Sequence, residues 1–282
     1  MKDVIQLLRE LRQSSESSVV TGIELAASKD RPPLEHAIEP WLVDLVLEQI
    51  TMSPRPDISL IVLAGNAGDG KSFLLRKVRE RLRDEGLDPS MVSWLLDATE
   101  SESQSQTSTE RLRDFFSTFS DHTPWDTPRL HIIASNTGTL VRFMADDQDR
   151  KRYTALCDVL GLQLSIRNEP EAQPIPEDFW HRYDRVLVVD LDRRMLFPLI
   201  ASADSFFDRM VATLAPNDPT GFLSSATIHC NDCPASATCP VYTNLRCLQS
   251  DRVRARLNTL LLDVTLEDRI HLGPRSLWHI VY

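Results

Sequence analysis

Eight residues, Gly65-Asn66-Ala67-Gly68-Asp69-Gly70-Lys71-Ser72, satisfy the spacing G-x-x-x-x-G-K-[ST] and follow directly on an apolar, β-branched run from Ile58 to Ala64. That run has the length of a buried strand, and Phe73 to Arg83 behind the glycines carries a helical pattern. A strand turning through glycines into a helix restricts the chain to α/β architectures in which loop amides and a helix N-terminus converge on an anion. The glycines permit the tight turn. Lys71 has the reach to meet β- and γ-phosphates, and the Ser72 hydroxyl completes a magnesium shell. The candidate nucleotide-binding set is therefore Gly65, Asn66, Ala67, Gly68, Asp69, Gly70, Lys71, Ser72 and Phe73, with ATP and Mg2+ as expected ligands.

The remaining pattern extends the same architecture. Residues 1–52 read as a helical N-terminal segment, with Trp41 to Ile50 apolar at helical spacing, and Ser53-Pro54-Arg55-Pro56-Asp57 breaks the chain before the first strand. Further strands are expected at Met91 to Leu96, Leu130 to Ala134 and Arg185 to Val189, with helices from Glu110 to Phe119 and around Leu140 to Leu160. Ser101 to Thr109 reads as a polar loop, and residues 170–176 as a Pro-rich connector. This alternation predicts a three-layer α/β fold of the P-loop NTPase kind with a mainly parallel sheet. Its expected divisions are a nucleotide-binding core at 53–205 and a helical lid at 206–282.

Hydrolysis requires, beyond the cradle, an acidic group at a strand end to hold magnesium through water and a carboxylate to polarise the attacking water. Three strand ends offer candidates. Trp94-Leu95-Leu96-Asp97-Ala98-Thr99-Glu100 presents Asp97 and Glu100. His131-Ile132-Ile133-Ala134-Ser135-Asn136-Thr137 presents a neutral pair, with Asn136 suited to sense a γ-phosphate. Val186-Leu187-Val188-Val189-Asp190-Leu191-Asp192 presents Asp190. Against each acid stands the reading of a carboxylate that caps the next turn. With Asn136-Thr137 at the position of an acidic pair, hydrolysis would be slow or absent.

Four of the five cysteines fall between 230 and 247, as Cys230-x2-Cys233-x5-Cys239-x7-Cys247. The first pair has the spacing of a metal knuckle, and four thiolates hold structural zinc without an open position. An iron–sulfur cluster and reduced, unliganded thiols are the alternatives, and His229 is an alternative fourth ligand to Cys247. Cys157 stands apart as a buried apolar residue. The clustering suits a reducing, cytoplasmic setting. No apolar run approaches the roughly 20 residues that span a bilayer, and the first ten residues read as an amphipathic helix instead of a secretory signal. With 41 acidic against 31 basic residues, a formal net charge of −10 argues against gripping nucleic acid over the whole surface. Clusters at Arg76, Lys77, Arg79, Arg81 and Arg83 and at Arg252, Arg254 and Arg256 read as solvated helix faces.

Taken together, the glycine loop, Asp97-Ala98-Thr99, Ile133-Ala134-Ser135-Asn136-Thr137-Gly138-Thr139-Leu140, Val189-Asp190-Leu191-Asp192-Arg193-Arg194, the Cys-Pro knuckle and His271-Leu272-Gly273-Pro274-Arg275-Ser276-Leu277 resemble a family. It is the AAA-type ATPases of bacterial anti-phage defence, in particular the DptF family of DNA phosphorothioation-dependent restriction. The resemblance spans about residues 58 to 280. It implies a sensor-2 role toward nucleotide for Arg275 in the lid, and contact of Arg193 or Arg194 with nucleotide or a neighbouring subunit. The bland reading of each arginine is a surface ion pair. The family carries a glutamate where this chain has Thr137, and by the same resemblance the chain stops at Tyr282 inside a lid helix, as a fragment or shortened relative would. The expected function is that of an ATP-binding, ATP-hydrolysing subunit of a DNA-directed restriction assembly. Its partners would be other defence subunits and further copies of itself, with DNA met through the assembly. A non-hydrolysing nucleotide-dependent switch is the alternative, and a small-molecule kinase a third reading with no second substrate signature behind it.

Overall fold

The structure is a computed structural model that describes residues 40–51, 57–66, 68–95, 107–165, 179–193, 196–197, 205–212, 214, 227, 230, 232–267, 272–274 and 276–277. One compact unit runs from Glu39 to Arg193, and the described residues from Leu196 onward belong to a second. Helix α1 (Pro40–Thr51), expected in a separate N-terminal segment, thus falls in the same unit as the sheet. Its buried stripe of Val43, Val46, Gln49 and Ile50 follows helical spacing. Gln49 Oε1 accepts the Ile58 amide at 2.9 Å, which ties the helix to the chain entering the sheet.

Four strands form that sheet: β1 (Leu60–Gly65), β2 (Val92–Leu95), β3 (Leu130–Asn136) and β4 (Val186–Asp190). Their order is β2-β3-β1-β4 and every pairing is parallel. Parallel neighbours need long crossovers, and helices supply them: α2 (Lys71–Asp84), α3 (Ser108–Phe115), α4 (Thr137–Ala145), α5 (Asp147–Arg152), α6 (Thr154–Gln163) and α7 (Phe179–Asp184).

Alternate residues of a strand point to opposite faces. On β1, Leu60, Val62 and Ala64 join a core with Phe116, Phe119, Trp125, Phe143 and Leu160, while Ile61 and Leu63 are equally buried on the other side. A strand sealed on both faces reads as a continuous apolar run, as this one does. Both faces are therefore covered, in keeping with the expected three layers.

The expected strands appear within a residue or two of their anticipated bounds. Met91 instead closes a 3₁₀ turn (Pro89–Met91). Ser108 and Thr109, expected in a loop, open α3, because Thr107-x-x-Glu110 is a capping box. The Glu110 amide donates to Thr107 Oγ1, and the Thr107 amide donates to Glu110 Oε2 at 2.7 Å. The rest of that loop and the connector at 170–176 lie outside the described residues. At the sheet edge, the Gln163 side chain acts as a short surrogate strand. Its Nε2 donates to the Val186 carbonyl and its Oε1 accepts the Val188 amide, both at 2.7 Å.

The second unit contains α8 (Phe206–Ala212), α9 (Pro240–Leu248) and α10 (Asp251–Glu267). Phe206, Phe207, Met210, Leu245, Leu248, Leu261 and Leu277 form its apolar core. Arg254 reaches Asp208 at 3.6 Å and donates to the carbonyls of Leu248 and Gln249, so α10 is joined to both other helices. Among the described residues no helix is long and apolar enough to cross a membrane.

Candidate phosphate-binding loop and its surroundings

The parallel register brings three strand ends to one edge. Gly65 is level with Asn136, and Ala64 with Asp190. Ligands of open α/β sheets bind beyond the carboxyl ends of strands, and the loop Gly65–Gly70 starts at that edge and delivers the chain into α2.

The loop's shape follows from its glycines and one buried acid. Gly68 (φ +94°) and Gly70 (φ +89°) adopt backbone conformations that L side chains rarely take. Gly65 is needed for space, because a Cβ there would lie 3.0 Å from Asp69 Oδ2 and 3.2 Å from Leu191 Cβ. The Asp69 side chain is buried and folds back on its own loop, with Oδ2 accepting the Asn66 amide at 2.5 Å. Lys71 Nζ donates to the carbonyls of Gly65 at 2.8 Å and Asn66 at 2.6 Å. Gly70 stands at the N-cap without a capping side chain, and the Leu74 amide makes the first bond into the helix, to the Gly70 carbonyl at 2.9 Å. The amides of Lys71 and Ser72 thus precede the intrahelical ladder, where the positive end of the helix dipole adds to the pull on an anion.

The flanking candidates take distinct roles. Asn136 caps α4, its Oδ1 accepting the Gly138 amide at 3.2 Å. Asp190 organises the turn after β4: Oδ1 accepts the Asp192 amide at 3.0 Å, and Oδ2 lies 3.1 Å from Arg193 Nε. Arg193 also donates to the Leu164 carbonyl and Ser165 Oγ, so it is held within its own unit. Asp97, Glu100, Ala67, Arg194 and Arg275 lie outside the described residues, as does the Phe73 side chain.

The residue the sequence reading passed over is Asp192, in the 3₁₀ turn Leu191–Arg193. Its Oδ1 accepts from the Asn66 amide at 3.0 Å and from Asn66 Nδ2 at 2.8 Å. Its Oδ2 accepts from Thr137 Oγ1 at 3.0 Å. The available signal was the alternation Asp190-Leu191-Asp192 just past a strand end.

The basic cluster on α2 behaves as a solvated helix face over much of its length. Arg76 and Lys77 pair with Glu80, and Arg81 with Glu85. Arg79 instead lies over the Trp94 ring at 5.5 Å, and burial, followed by the nearby Arg83 charge, lowers its pKa.

In the second unit the Cys230-x2-Cys233 pair forms a turn, the Cys233 amide facing the Cys230 carbonyl at 3.4 Å. Cys239 and Cys247 stand at the N-cap and near the end of α9. None of the four is in a disulfide, and Cys233 and Cys247 are exposed. Among the described residues no group of three or more His, Cys, Asp or Glu side chains is close enough to hold a metal ion. The expected knuckle is thus not shown among the described residues, and His229 lies outside them. Cys157 is buried, as expected.

No family model, no curated protein and no solved structure matches this chain.

Proposed function

We propose that the chain binds ATP with Mg2+ at the Gly65–Ser72 loop and serves as the nucleotide-dependent subunit of a DNA-directed defence assembly. The observation that carries the nucleotide reading is the path of the loop: from the end of a central parallel strand, through two left-handed glycines, to an uncapped helix N-terminus with Lys71 folded over the loop. Amides with no intrahelical acceptor and an ammonium group within the same loop are the donors that a polyphosphate needs. Lys71 would exchange its carbonyl acceptors for β- and γ-phosphate oxygens, and Ser72 would supply a hydroxyl ligand to magnesium. The metal, when bound, neutralises charge that develops on the phosphates.

The defence role rests on the motif resemblance. A net charge of −10 supports DNA contact through partner subunits over contact through this chain's whole surface.

A second reading, a switch that binds ATP without hydrolysing it, is favoured by a specific observation. At the described strand ends, the Asp190 carboxylate is engaged by Arg193 and the Asp192 amide, and the Asn136 amide group caps a helix. Asp97 remains the candidate acid on the hydrolytic reading.

Titration calorimetry with ATP and Mg2+ tests binding, and phosphate release separates the two readings. Binding by the native chain that is lost in Lys71→Ala is the expected result. Equal affinity in the variant would refute the nucleotide site.

A further inference from the structure

We propose that Asp192 is a positioning residue that holds the phosphate loop in its binding shape by fastening it to the ends of β3 and β4. The inference rests on the reading of Gly65–Ser72 as a nucleotide site and adds a residue outside the glycine motif to it.

One carboxylate joins three strand ends. Oδ1 takes both donors of Asn66, the residue that follows β1, and Oδ2 takes the hydroxyl of Thr137, the residue that follows β3. Asp192 itself is the second residue after β4. An ionised carboxylate has only acceptors, and here its two oxygens take these three donors.

The turn that carries it is anchored in turn. The Asp192 amide donates to Asp190 Oδ1, and Asp190 Oδ2 pairs with Arg193. Arg193 is fastened to the Leu164 carbonyl at 2.9 Å and to Ser165 Oγ at 3.1 Å. The turn also packs directly beneath the loop, since a Cβ at Gly65 would meet Leu191 Cβ at 3.2 Å. Asp69 holds the loop from within through the Asn66 amide. Asp192 also reaches the neighbouring strand end, through Thr137.

A phosphate cradle works only when its amides already point at one volume, because ordering a loop at the moment of binding subtracts from affinity. Asp192 performs that ordering beforehand. In the role proposed here Asp192 acts through the loop it holds, as a positioning residue.

The test compares the native chain with Asp192→Leu, Asp192→Asn and Thr137→Val in two measurements. The first is hydrogen exchange without nucleotide in peptides covering 60–75. Asp192→Leu is expected to speed exchange in the loop, and Asp192→Asn to leave it near native, because an amide oxygen still accepts both Asn66 bonds. The second is ATP–Mg2+ affinity. Losing charge-assisted bonds in Asp192→Leu should weaken binding by about tenfold, while Asp192→Asn stays within about threefold of native. Thr137→Val, which removes one bond from the far side, should shift both readouts in the same direction and by less, and it serves if Asp192→Leu fails to fold. Unchanged loop exchange in both Asp192→Leu and Thr137→Val overturns the proposal whether or not ATP binds. Faster exchange with native affinity overturns it as well. Absence of ATP binding by the native chain refutes the nucleotide reading instead, and loop exchange then decides on Asp192 by itself.

Discussion

The Lys71 ammonium turns back onto the Gly65 carbonyl, 2.8 Å away, so the lysine that would meet phosphate closes its own loop in this structure. The contact bears on how the loop behaves empty. Removing the ammonium in Lys71→Ala deletes its bonds to both Gly65 and Asn66. Net losses for hydrogen bonds to charged donors are on the order of 1–2 kcal/mol when partly exposed. Denaturant unfolding without nucleotide should show a drop of that size, and the thermal stabilisation that ATP–Mg2+ gives the native chain should vanish. A variant as stable as native without nucleotide would show that the loop does not depend on its lysine for closure.

The glycines should separate into two kinds. Gly70 has open space around it and a left-handed φ of +89°, so Gly70→Ala meets backbone strain alone, about 1–2 kcal/mol. Gly65→Ala drives a methyl toward Asp69 Oδ2 and Leu191 Cβ and must displace the turn that carries Asp192. Overpacking of this kind costs about 1–3 kcal/mol. Hydrogen exchange discriminates the two: Gly65→Ala should loosen peptides around residue 191, and Gly70→Ala should not.

What the sequence made legible follows from local physics. β1 and β3 are apolar runs because they are largely buried, β4 is an apolar run at the sheet edge with Val186 buried and the rest half-buried, and the loop between β1 and α2 announces itself through its glycines. α3 begins where Thr107 and Glu110 cap it, a signal present in the sequence but outweighed by the polar Ser/Gln/Thr stretch before it. Asp192 was hidden for a different reason. Two acids separated by one residue look alike on paper, and only the 3₁₀ turn after β4 decides that Asp190 faces Arg193 while Asp192 faces Asn66. The contact with Thr137 bridges distant chain positions that no local pattern connects.

The edge of the sheet offers a test independent of nucleotide. Gln163→Leu keeps the volume of the side chain but leaves the Val186 carbonyl and Val188 amide without the bonds at 2.7 Å that Gln163 makes. Unpaired backbone groups at a partly buried edge cost about 1–3 kcal/mol each way of counting, and the expected loss in chemical denaturation lies in that range. Gln163→Glu retains one acceptor for Val188 and loses the donor to Val186, so it should fall between native and Gln163→Leu.

His131 supplies a pH dependence. It lies at the start of β3 with Phe115 and Phe119 edge-on at 5.7 and 5.0 Å. Burial among them lowers its pKa from the ordinary 6.5, more than its contacts with the Arg129 and Ser59 backbone raise it. The unfolded chain therefore takes up the proton at higher pH than the folded one. The contribution from a neutral His131 is fully present above pH 6.5 and is lost as pH falls through the lower folded value. His131→Phe should flatten the stability profile between pH 6.5 and 5 relative to native. A native profile with no slope attributable to His131 across that interval would contradict the burial effect.

The thiols give a final and direct test of the second unit. Burial pushes the Cys157 thiol up to about 12, so at pH 8 only about one part in ten thousand is thiolate, the reactive form. Cys233 and Cys247 are exposed, and Cys230 and Cys239 are partly so. With a disulfide reagent on the native protein, Cys233 and Cys247 should react in the fast phase and Cys157 only after denaturant is added. Zinc bound by the cluster would reverse the first part of that pattern, because coordinated thiolates are held away from reagent until a chelator releases the metal. If the fast phase is the same before and after chelator, the segment carries no metal. If the fast phase appears only after chelator, together with release of about one equivalent of zinc, the turn at Cys230–Cys233 closes with Cys239 and Cys247 in the metal-loaded protein.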